Sequence, residues 1–317
     1  MSAVADSAAD RALLDLLRLL AERGYAFVAP TPATHARVLA RPDRQRARAL
    51  RDVLGWSLPF RPEVLDPDVL ALLERAEAIE ATPEGLKSRY RVSSLHGRLF
   101  LHSAYPTTAE DAVFFGPDSY RFADFIATRI GAPRPGARIV DIGTGAGVGA
   151  IVAAGLAPGA KVLMTDVNPK ALRLARINAA FAGVAAEVQQ VEGLEGVAGE
   201  WDVALTNPPY IADAAGREYR DGGDMHGDRL SLQLASAAAE RLAPGGRLLL
   251  YTGAAIVEGA DPLKTALGPA LAARGCDLDY RELDPDVFGE ELANPPYADV
   301  ERIAVVGAVA LKSPPRP

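Results

Sequence analysis

The fold of this 317-residue sequence is decided by Arg138-Ile-Val-Asp141-Ile-Gly143-Thr-Gly145-Ala-Gly147-Val-Gly149. A short apolar strand ends here, and alternate glycines then lead into an apolar helix from about Val148. Glycine tolerates positive φ and lets a ligand approach the backbone closely. A strand, a glycine-rich turn and a helix in this order are typical of a cofactor-binding βαβ unit.

Strands and helices alternate downstream of this turn. Together with residues 138–141, the segments predicted as buried strands are residues 161–165, 187–191, 203–206 and 247–251. Helices are predicted between them at residues 148–155, 168–181, 230–242 and 262–274. This alternation indicates an α/β, Rossmann-like fold with a mostly parallel, doubly wound sheet. Two further predicted strands, residues 277–284 and 301–311, have no helix between them, which indicates that the last strand is antiparallel.

The first third of the chain has a different pattern. Helices are predicted at residues 11–23, 31–40, 43–54 and 66–79, and a hairpin at residues 88–101. A helix over residues 114–130 and the glycine- and proline-rich segment 131–136 precede the first buried strand. We therefore predict a smaller α+β domain at residues 1–110, winged-helix-like and used to recognise the substrate, and a cofactor-binding domain at residues 111–317.

The composition is that of an ordinary globular protein, with 49% hydrophobic and 24% charged residues. No apolar stretch approaches the roughly 20 residues that a membrane-spanning helix needs. Residues 1–6 do not resemble a secretory signal, so a cytoplasmic location is expected. Because the chain has one cysteine and four histidines without ligand spacing, neither a disulfide nor a metal site is predicted.

Charge is distributed unevenly along the chain. Residues 1–130 contain 17 basic and 17 acidic side chains, whereas residues 131–317 contain 17 basic and 24 acidic ones. Within the neutral first part, a local basic run comprises Arg37, Arg41, Arg44, Arg46, Arg48 and Arg51. Clustered arginines can contact nucleic-acid phosphates, although such a run is more often a solvated helix face. Nucleic-acid binding therefore stays an alternative.

Two carboxylates accompany the glycine-rich turn. Asp166 ends the next strand, where its carboxylate can accept hydrogen bonds from two ribose hydroxyls. The glycine spacing also fits a dinucleotide fingerprint, so a nicotinamide-dependent oxidoreductase is a remote alternative. Asp141 favours S-adenosylmethionine instead, because a carboxylate attracts the ammonium group of that cofactor and would repel a pyrophosphate.

The most specific motif is Asn207-Pro208-Pro209-Tyr210, directly after the predicted strand at residues 203–206. Ligands bind at this edge of open α/β sheets. The two prolines have no backbone N–H, so the strand end presents hydrogen-bond acceptors. The Asn207 side-chain oxygen and the Pro208 carbonyl can each accept a hydrogen from one NH₂ group, while Tyr210 stacks on its planar carrier. This arrangement predicts methyl transfer to an amide or amino nitrogen.

Over about residues 114–311 the chain resembles class I S-adenosylmethionine-dependent methyltransferases that carry an Asn-Pro-Pro-Tyr motif. It is most similar to the release factor glutamine methyltransferases, and also resembles N6-adenine-type enzymes. Gly222-Gly-Asp-Met-His-Gly227 is similar to a glycine loop of the glutamine enzymes. The resemblance implies a seven-stranded sheet and places Asn207, Pro208 and Tyr210 at the target nitrogen. The residues expected to hold the cofactor are Asp141, Gly143, Thr144, Gly145, Gly147, Asp166, Val167, Glu192 and Asn207.

Several alternatives remain open at this point. The favoured acceptor is a protein glutamine in the translation machinery; the others are an exocyclic amino group of adenine or guanine in RNA or DNA, and a small amide or amine. Glu195 competes with Glu192 as the residue that contacts the adenine amine. A second copy of the motif, Asn294-Pro-Pro-Tyr297, is interpreted as the loop of the final hairpin.

Overall fold

A computed structural model describes residues 7–211 and 222–314 of the chain. Its α-helices are α1 Ala8–Glu22, α2 Pro32–Leu39, α3 Leu50–Leu54, α4 Pro67–Arg75, α5 Pro117–Arg129, α6 Val148–Leu156, α7 Pro169–Phe181, α8 Arg229–Glu240 and α9 Pro262–Ala272. Its strands are β1 Ile79–Thr82, β2 Gly85–Ser88, β3 Tyr90–Leu95, β4 Arg98–Ser103, β5 Arg138–Ile142, β6 Lys161–Asp166, β7 Ala186–Gln190, β8 Trp201–Thr206, β9 Leu242–Ile256, β10 Cys276–Asp284 and β11 Arg302–Lys312. None of the helices within these two ranges could cross a bilayer. Residues 1–6, on which the prediction of no secretory signal rests, lie outside the described residues.

The predicted parallel sheet is confirmed. Seven strands are ordered β10-β11-β9-β8-β5-β6-β7. β5 pairs in parallel with β6 on one side and with β8 on the other, so the order of the sheet reverses between β5 and β8. β11 runs antiparallel to both of its neighbours, β9 and β10, as predicted for the last strand. The crevice at the carboxyl ends of β5 and β8 is therefore the expected place for a ligand.

Local sequence signals place the helices that follow β5 and β6. Gly147 adopts a left-handed conformation (φ 83°) at the N-cap of α6, where a side chain would be strained. The N-cap of α7 is Asn168, whose side-chain oxygen accepts the backbone N–H of Lys170 at 2.9 Å, and Pro169 occupies the first helical position. These two caps fix the turns that carry the glycines and Asp166.

The prediction of a helix over residues 43–54 was wrong, because helical structure is limited to Leu50–Leu54 in α3. The preceding backbone finds other partners: the Arg48 N–H donates to Asp52 Oδ2 at 2.9 Å, and the Ala47 N–H donates to the Pro59 carbonyl at 2.9 Å. The hairpin β3–β4 was predicted, whereas the hairpin β1–β2 was not: the helix predicted to extend to residue 79 ends at Arg75, and β1 begins at Ile79. The winged-helix-like topology stays a prediction.

The N-terminal elements pack directly on the large sheet's helix α7. Asn178 of α7 accepts the backbone N–H of Leu101 at 2.8 Å and donates to the Leu101 carbonyl at 3.0 Å. Arg173 of α7 forms an ion pair with Asp10 at 2.6 Å. One hydrophobic cluster extends from α1 to β5 and β6. The domain boundary at residue 110 therefore stays a prediction, and the N-terminal elements are held close to the crevice.

Candidate cofactor- and acceptor-binding site

A cavity of about 1060 Å³ opens at the carboxyl ends of β5, β6 and β8. It is lined by most of the residues that the sequence selected, namely Asp141, Gly143, Thr144, Gly145, Asp166, Val167, Glu192, Asn207, Pro208 and Tyr210. The exception is Gly147, which is buried against α7: a Cβ added there would lie 3.3 Å from Ala175. Gly147 therefore serves helix packing rather than ligand contact.

The glycine-rich turn leaves its backbone open to the cavity. Gly143 and Gly145 both have positive φ, 67° and 53°. A Cβ added at either position meets no described atom within 4 Å, so a side chain there would extend into the cavity instead of the protein. Glycine at these two positions thus satisfies the backbone conformation and keeps the space beside the turn free for a ligand.

Asp141 is buried behind the turn, with 1% of its surface exposed. Its Oδ2 accepts the Thr144 hydroxyl at 2.7 Å and the Ala150 backbone N–H at 2.9 Å. A Cβ at Gly149 would lie 2.7 Å from Oδ1, so this glycine makes room for the carboxylate. Asp141 occupies the N-terminus of α6, where a dinucleotide pyrophosphate would have to bind. This geometry argues against a nicotinamide cofactor.

Burial raises the pKa of Asp141 from 3.8 to about 6; its two hydrogen bonds lower the pKa and the charge of Asp166 raises it. The folded protein binds this proton more tightly than the unfolded chain does. The protonated carboxyl therefore contributes fully to the free energy of unfolding below the unfolded-state pKa of 3.8, and this contribution is lost as pH rises through the folded-state pKa of about 6. Relative to Asp141→Asn, the cofactor-free protein should lose about 3 kcal/mol of unfolding free energy over this interval. Urea unfolding of both proteins at several pH values measures the difference; a pH-independent difference would contradict the assignment.

Asp166 connects the ends of β6 and the glycine turn. Its Oδ2 accepts the Gly145 N–H at 2.9 Å, and its Oδ1 accepts the Asn168 N–H at 2.9 Å. The carboxylate is half-buried and lines the cavity. A carboxylate offers about four lone-pair sites. The two hydrogen bonds from the backbone orient the Asp166 carboxylate and leave about two sites that can accept hydrogen bonds from the two hydroxyls of a ribose.

The wall beyond Asp166 is formed by the segment after β7. Glu192 and Glu195 are both exposed and both line the cavity, so the structure does not separate these two candidates. The Thr165 hydroxyl holds this segment by donating to the Gly193 carbonyl at 3.0 Å. Val167 lies nearby with 42% of its surface exposed, an unusual position for an apolar side chain and one suited to a planar ligand.

The Asn-Pro-Pro-Tyr motif follows β8 on the opposite side of the cavity. Asn207 is half-buried and Pro208 is buried, and both line the cavity. The Thr206 hydroxyl donates to the Ile142 carbonyl at 3.0 Å, which ties the end of β8 to the end of β5. Tyr210 is only 7% exposed, so it can offer an edge or part of a face to a ligand but is mainly enclosed by protein.

Three glycines enclose Tyr210. A Cβ at Gly227 would lie 2.4 Å from the Tyr210 carbonyl oxygen, and one at Gly222 would lie 2.8 Å from its Cα. A Cβ at Gly253 in β9 would lie 2.3 Å from ring atom Cδ2. The Gly222–Gly227 loop, singled out in the sequence by its glycines, therefore packs on the backbone of the motif.

Replacing Gly253 with alanine is expected to push the Tyr210 ring out of place. Because misplacing a group near the reacting atoms by about 1 Å can cost up to 10²-fold in rate, we expect kcat to fall about tenfold or more. Gly268→Ala is the matched control, since a Cβ there meets nothing within 4 Å. Steady-state kinetics of the two variants test the contact; equal kcat values would contradict it.

The second motif copy lies in the connection between β10 and β11, as predicted. Its Tyr297 is 1% exposed, and its hydroxyl donates to the His226 carbonyl at 3.1 Å. Tyr297 belongs to the same small hydrophobic cluster as Tyr210 and Ile211. Asn294 donates to Glu291 at 2.9 Å and is absent from the cavity wall. The second copy of the motif thus contacts the Gly222–Gly227 loop, which in turn packs on Tyr210 of the first copy.

Sequence reasoning missed Asp118 and Phe288, which also line the cavity. Asp118 is 7% exposed and lies in the first turn of α5. Phe288 packs edge-on against Tyr210, with ring centroids 5.9 Å apart. The sequence Gly116-Pro117-Asp118 predicts an ordinary helix start with an exposed aspartate, so only the fold shows that this aspartate faces the cavity.

Known proteins with similar sequences are methyltransferases. The family model described as methyltransferase small domain matches residues 123–267. Release factor glutamine methyltransferases are similar over longer spans: that of Cereibacter sphaeroides is 32% identical over 237 residues, covering 70% of this chain and 80% of the relative. That of Chlorobaculum tepidum is 30% identical, and the alignment covers 56% of this chain and 70% of the relative. That of Deinococcus radiodurans is 36% identical over 167 residues, and there the alignment covers 49% of this chain and only 55% of the relative.

Proposed function

The chain belongs to the family of release factor glutamine methyltransferases, and from that premise we propose that it methylates the side-chain amide of a glutamine in a translation release factor. It is an S-adenosylmethionine-dependent methyltransferase. The observation that carries the acceptor proposal is the position of Asn207-Pro208 in the same cavity as Asp166. Cofactor and acceptor groups thereby face one space.

The cavity wall on the glycine side fits a cationic nucleoside cofactor. Asp166 would accept the ribose hydroxyls, and Val167 with Glu192 or Glu195 would contact the adenine. The field of buried Asp141 would favour the ammonium group, and the open backbone at Gly143 and Gly145 admits the chain that carries it. S-Adenosylmethionine supplies a methyl group bonded to a positively charged sulfur. The protein residues therefore have to position the acceptor rather than activate the donor.

On the other side, the acceptor nitrogen would lie at the end of β8. The Asn207 side-chain oxygen and the Pro208 carbonyl would each accept one hydrogen of the glutamine NH₂ group. Because Pro208 and Pro209 have no N–H, no backbone donor competes at this point. Accepting both hydrogens holds the nitrogen in one orientation and favours its lone pair over delocalisation, which is catalysis by positioning and electrostatics.

The cavity wall also includes the N-terminal part of the chain. Pro32 begins α2, and residues 105–108 follow β4; all of them line the cavity. Their presence in the wall supports the proposal that this part contacts a macromolecular acceptor. A release factor acceptor would also place the enzyme in the cytoplasm.

Methylation of an RNA or DNA base is the second candidate, favoured by one observation. Within the basic run, Arg44 pairs with Asp52 at 3.0 Å, and the other members are exposed: Arg37, Arg41, Arg46, Arg48 and Arg51. Exposed, clustered arginines could bind phosphates. The favoured acceptor remains the glutamine, because the relatives that share most of the chain are release factor glutamine methyltransferases.

Label transfer separates the two candidates. The enzyme and methyl-radiolabelled S-adenosylmethionine are incubated with a cell extract that lacks the enzyme, and the product is treated with protease or nuclease. We expect protease, and not nuclease, to release the label, and purified release factor to become labelled in the same way. Release by nuclease would favour the base acceptor, and label resistant to both enzymes would favour a small molecule.

A further inference from the structure

A buried carboxylate lies in the acceptor wall and has no role in the proposed chemistry so far. Asp118, in the first turn of α5, accepts the Tyr251 hydroxyl at 2.8 Å through Oδ1. Arg121, one turn later in α5, lies 3.6 Å from the same oxygen and also pairs with Asp284 of β10 at 2.8 Å. Burying a carboxylate is costly unless it is hydrogen-bonded and paired. Tyr251 and Arg121 offset part of this cost for Asp118 and hold its carboxylate in the cavity wall.

Tyr210 is the other group that faces Asp118. Its hydroxyl is buried and has no partner in hydrogen-bonding geometry among the residues that the structure describes. Burial and the neighbouring carboxyl of Asp118 both raise the pKa of Tyr210 well above its ordinary value. A buried hydroxyl without a partner is unfavourable, and the adjacent acceptor is Asp118.

We propose that Asp118 is a positioning residue whose carboxylate accepts hydrogen bonds from the hydroxyls of Tyr251 and Tyr210 and fixes the Tyr210 ring beside the acceptor amide. Tyr251 belongs to β9 and Asp118 to α5, so the carboxylate ties the motif after β8 to one strand and one helix. Gly253 and Phe288 restrain the ring itself, whereas Asp118 restrains its hydroxyl end. This inference rests on the proposed function, because it assigns Tyr210 to the acceptor pocket.

A double-mutant cycle with Asp118→Asn and Tyr210→Phe tests it. Each single variant should lower kcat about 10- to 100-fold, the effect of losing one hydrogen bond to a charged group, with unchanged affinity for S-adenosylmethionine. The double variant should be no slower than the slower single variant, because Tyr210→Phe removes the contact and Asp118→Asn weakens the same contact by removing the charge. Asp124→Asn is the matched control: it lies in the same helix, its side chain is 70% exposed, and it pairs with His96 at 2.7 Å.

Three results would overturn the proposal: normal kcat in folded Asp118→Asn, multiplicative losses in the double variant, or an equal loss in Asp124→Asn. If Asp118→Asn does not fold, Tyr210→Phe decides alone, because a normal kcat would show that the Tyr210 hydroxyl, the group through which Asp118 is proposed to position the ring, does not contribute. A wild-type enzyme that fails to methylate release factor in the same assay would instead count against the proposed function.

Discussion

Asn207→Ala is expected to lower kcat by about 10²-fold or more, the usual effect of removing one preorganised hydrogen-bonding group at a reacting centre. Asn207 is half-buried in the cavity wall, and its side-chain oxygen is one of the two acceptors proposed for the NH₂ group. Most of the groups expected to hold the cofactor lie after β5, β6 and β7, so the dissociation constant for S-adenosylmethionine should change little although Asn207 is itself among the predicted cofactor residues. Single-turnover methylation and calorimetry measure the two quantities separately.

The chain contains its own control for this experiment. Asn294 opens the second Asn-Pro-Pro-Tyr copy but is exposed and lies outside the cavity wall. Asn294→Ala should therefore retain wild-type kcat, although it removes the same side chain from the same four-residue motif. Unchanged turnover in Asn207→Ala, or an equal loss in both variants, would refute the role assigned to Asn207.

Asp166→Ala should produce the opposite pattern, a dissociation constant for S-adenosylmethionine raised about 10- to 100-fold, the range for hydrogen bonds to a charged group. The change removes the proposed acceptor of the ribose hydroxyls and the acceptor of the Gly145 N–H, 2.9 Å away. At saturating cofactor, kcat should recover most of its wild-type value, because the acceptor groups after β8 are untouched.

The matched control for Asp166 is Asp279→Ala, which removes an aspartate from edge strand β10, outside the cavity wall. Calorimetric titration of both variants with S-adenosylmethionine and with S-adenosylhomocysteine gives the comparison. A normal dissociation constant for Asp166→Ala would remove Asp166 from the cofactor site.

Much of the sheet could be predicted because its signals are local. The apolar run before Gly143, the cap at Asn168 and the prolines after Thr206 each determine a turn within a few residues. β9 illustrates the limit: it was predicted at residues 247–251, but it extends over Leu242–Ile256. Pairing with β8 and β11 on its two sides continues the strand beyond its apolar centre.

Other features depend on contacts between distant segments, which the sequence pattern does not contain. The backbone of residues 47–48 is held by Asp52 and Pro59 instead of by helical bonds, so helix-forming residues there are not helical. Tyr210 was expected to stack on the acceptor, but it is enclosed by Gly222, Gly227 and Gly253 from two other parts of the chain. The residues around Tyr210, including Asp118 of α5, come together only because the fold brings distant segments of the chain to the end of β8.

The most direct test of the account is to locate the transferred methyl group. Purified release factor is incubated with the enzyme and a deuterium-labelled methyl donor, digested, and sequenced by tandem mass spectrometry, with Asn207→Ala as the inactive comparison. The account predicts one labelled methyl group on the side-chain amide nitrogen of a glutamine, strongly reduced with Asn207→Ala. A methyl group on a lysine, on a terminal amine or on accompanying RNA would contradict it.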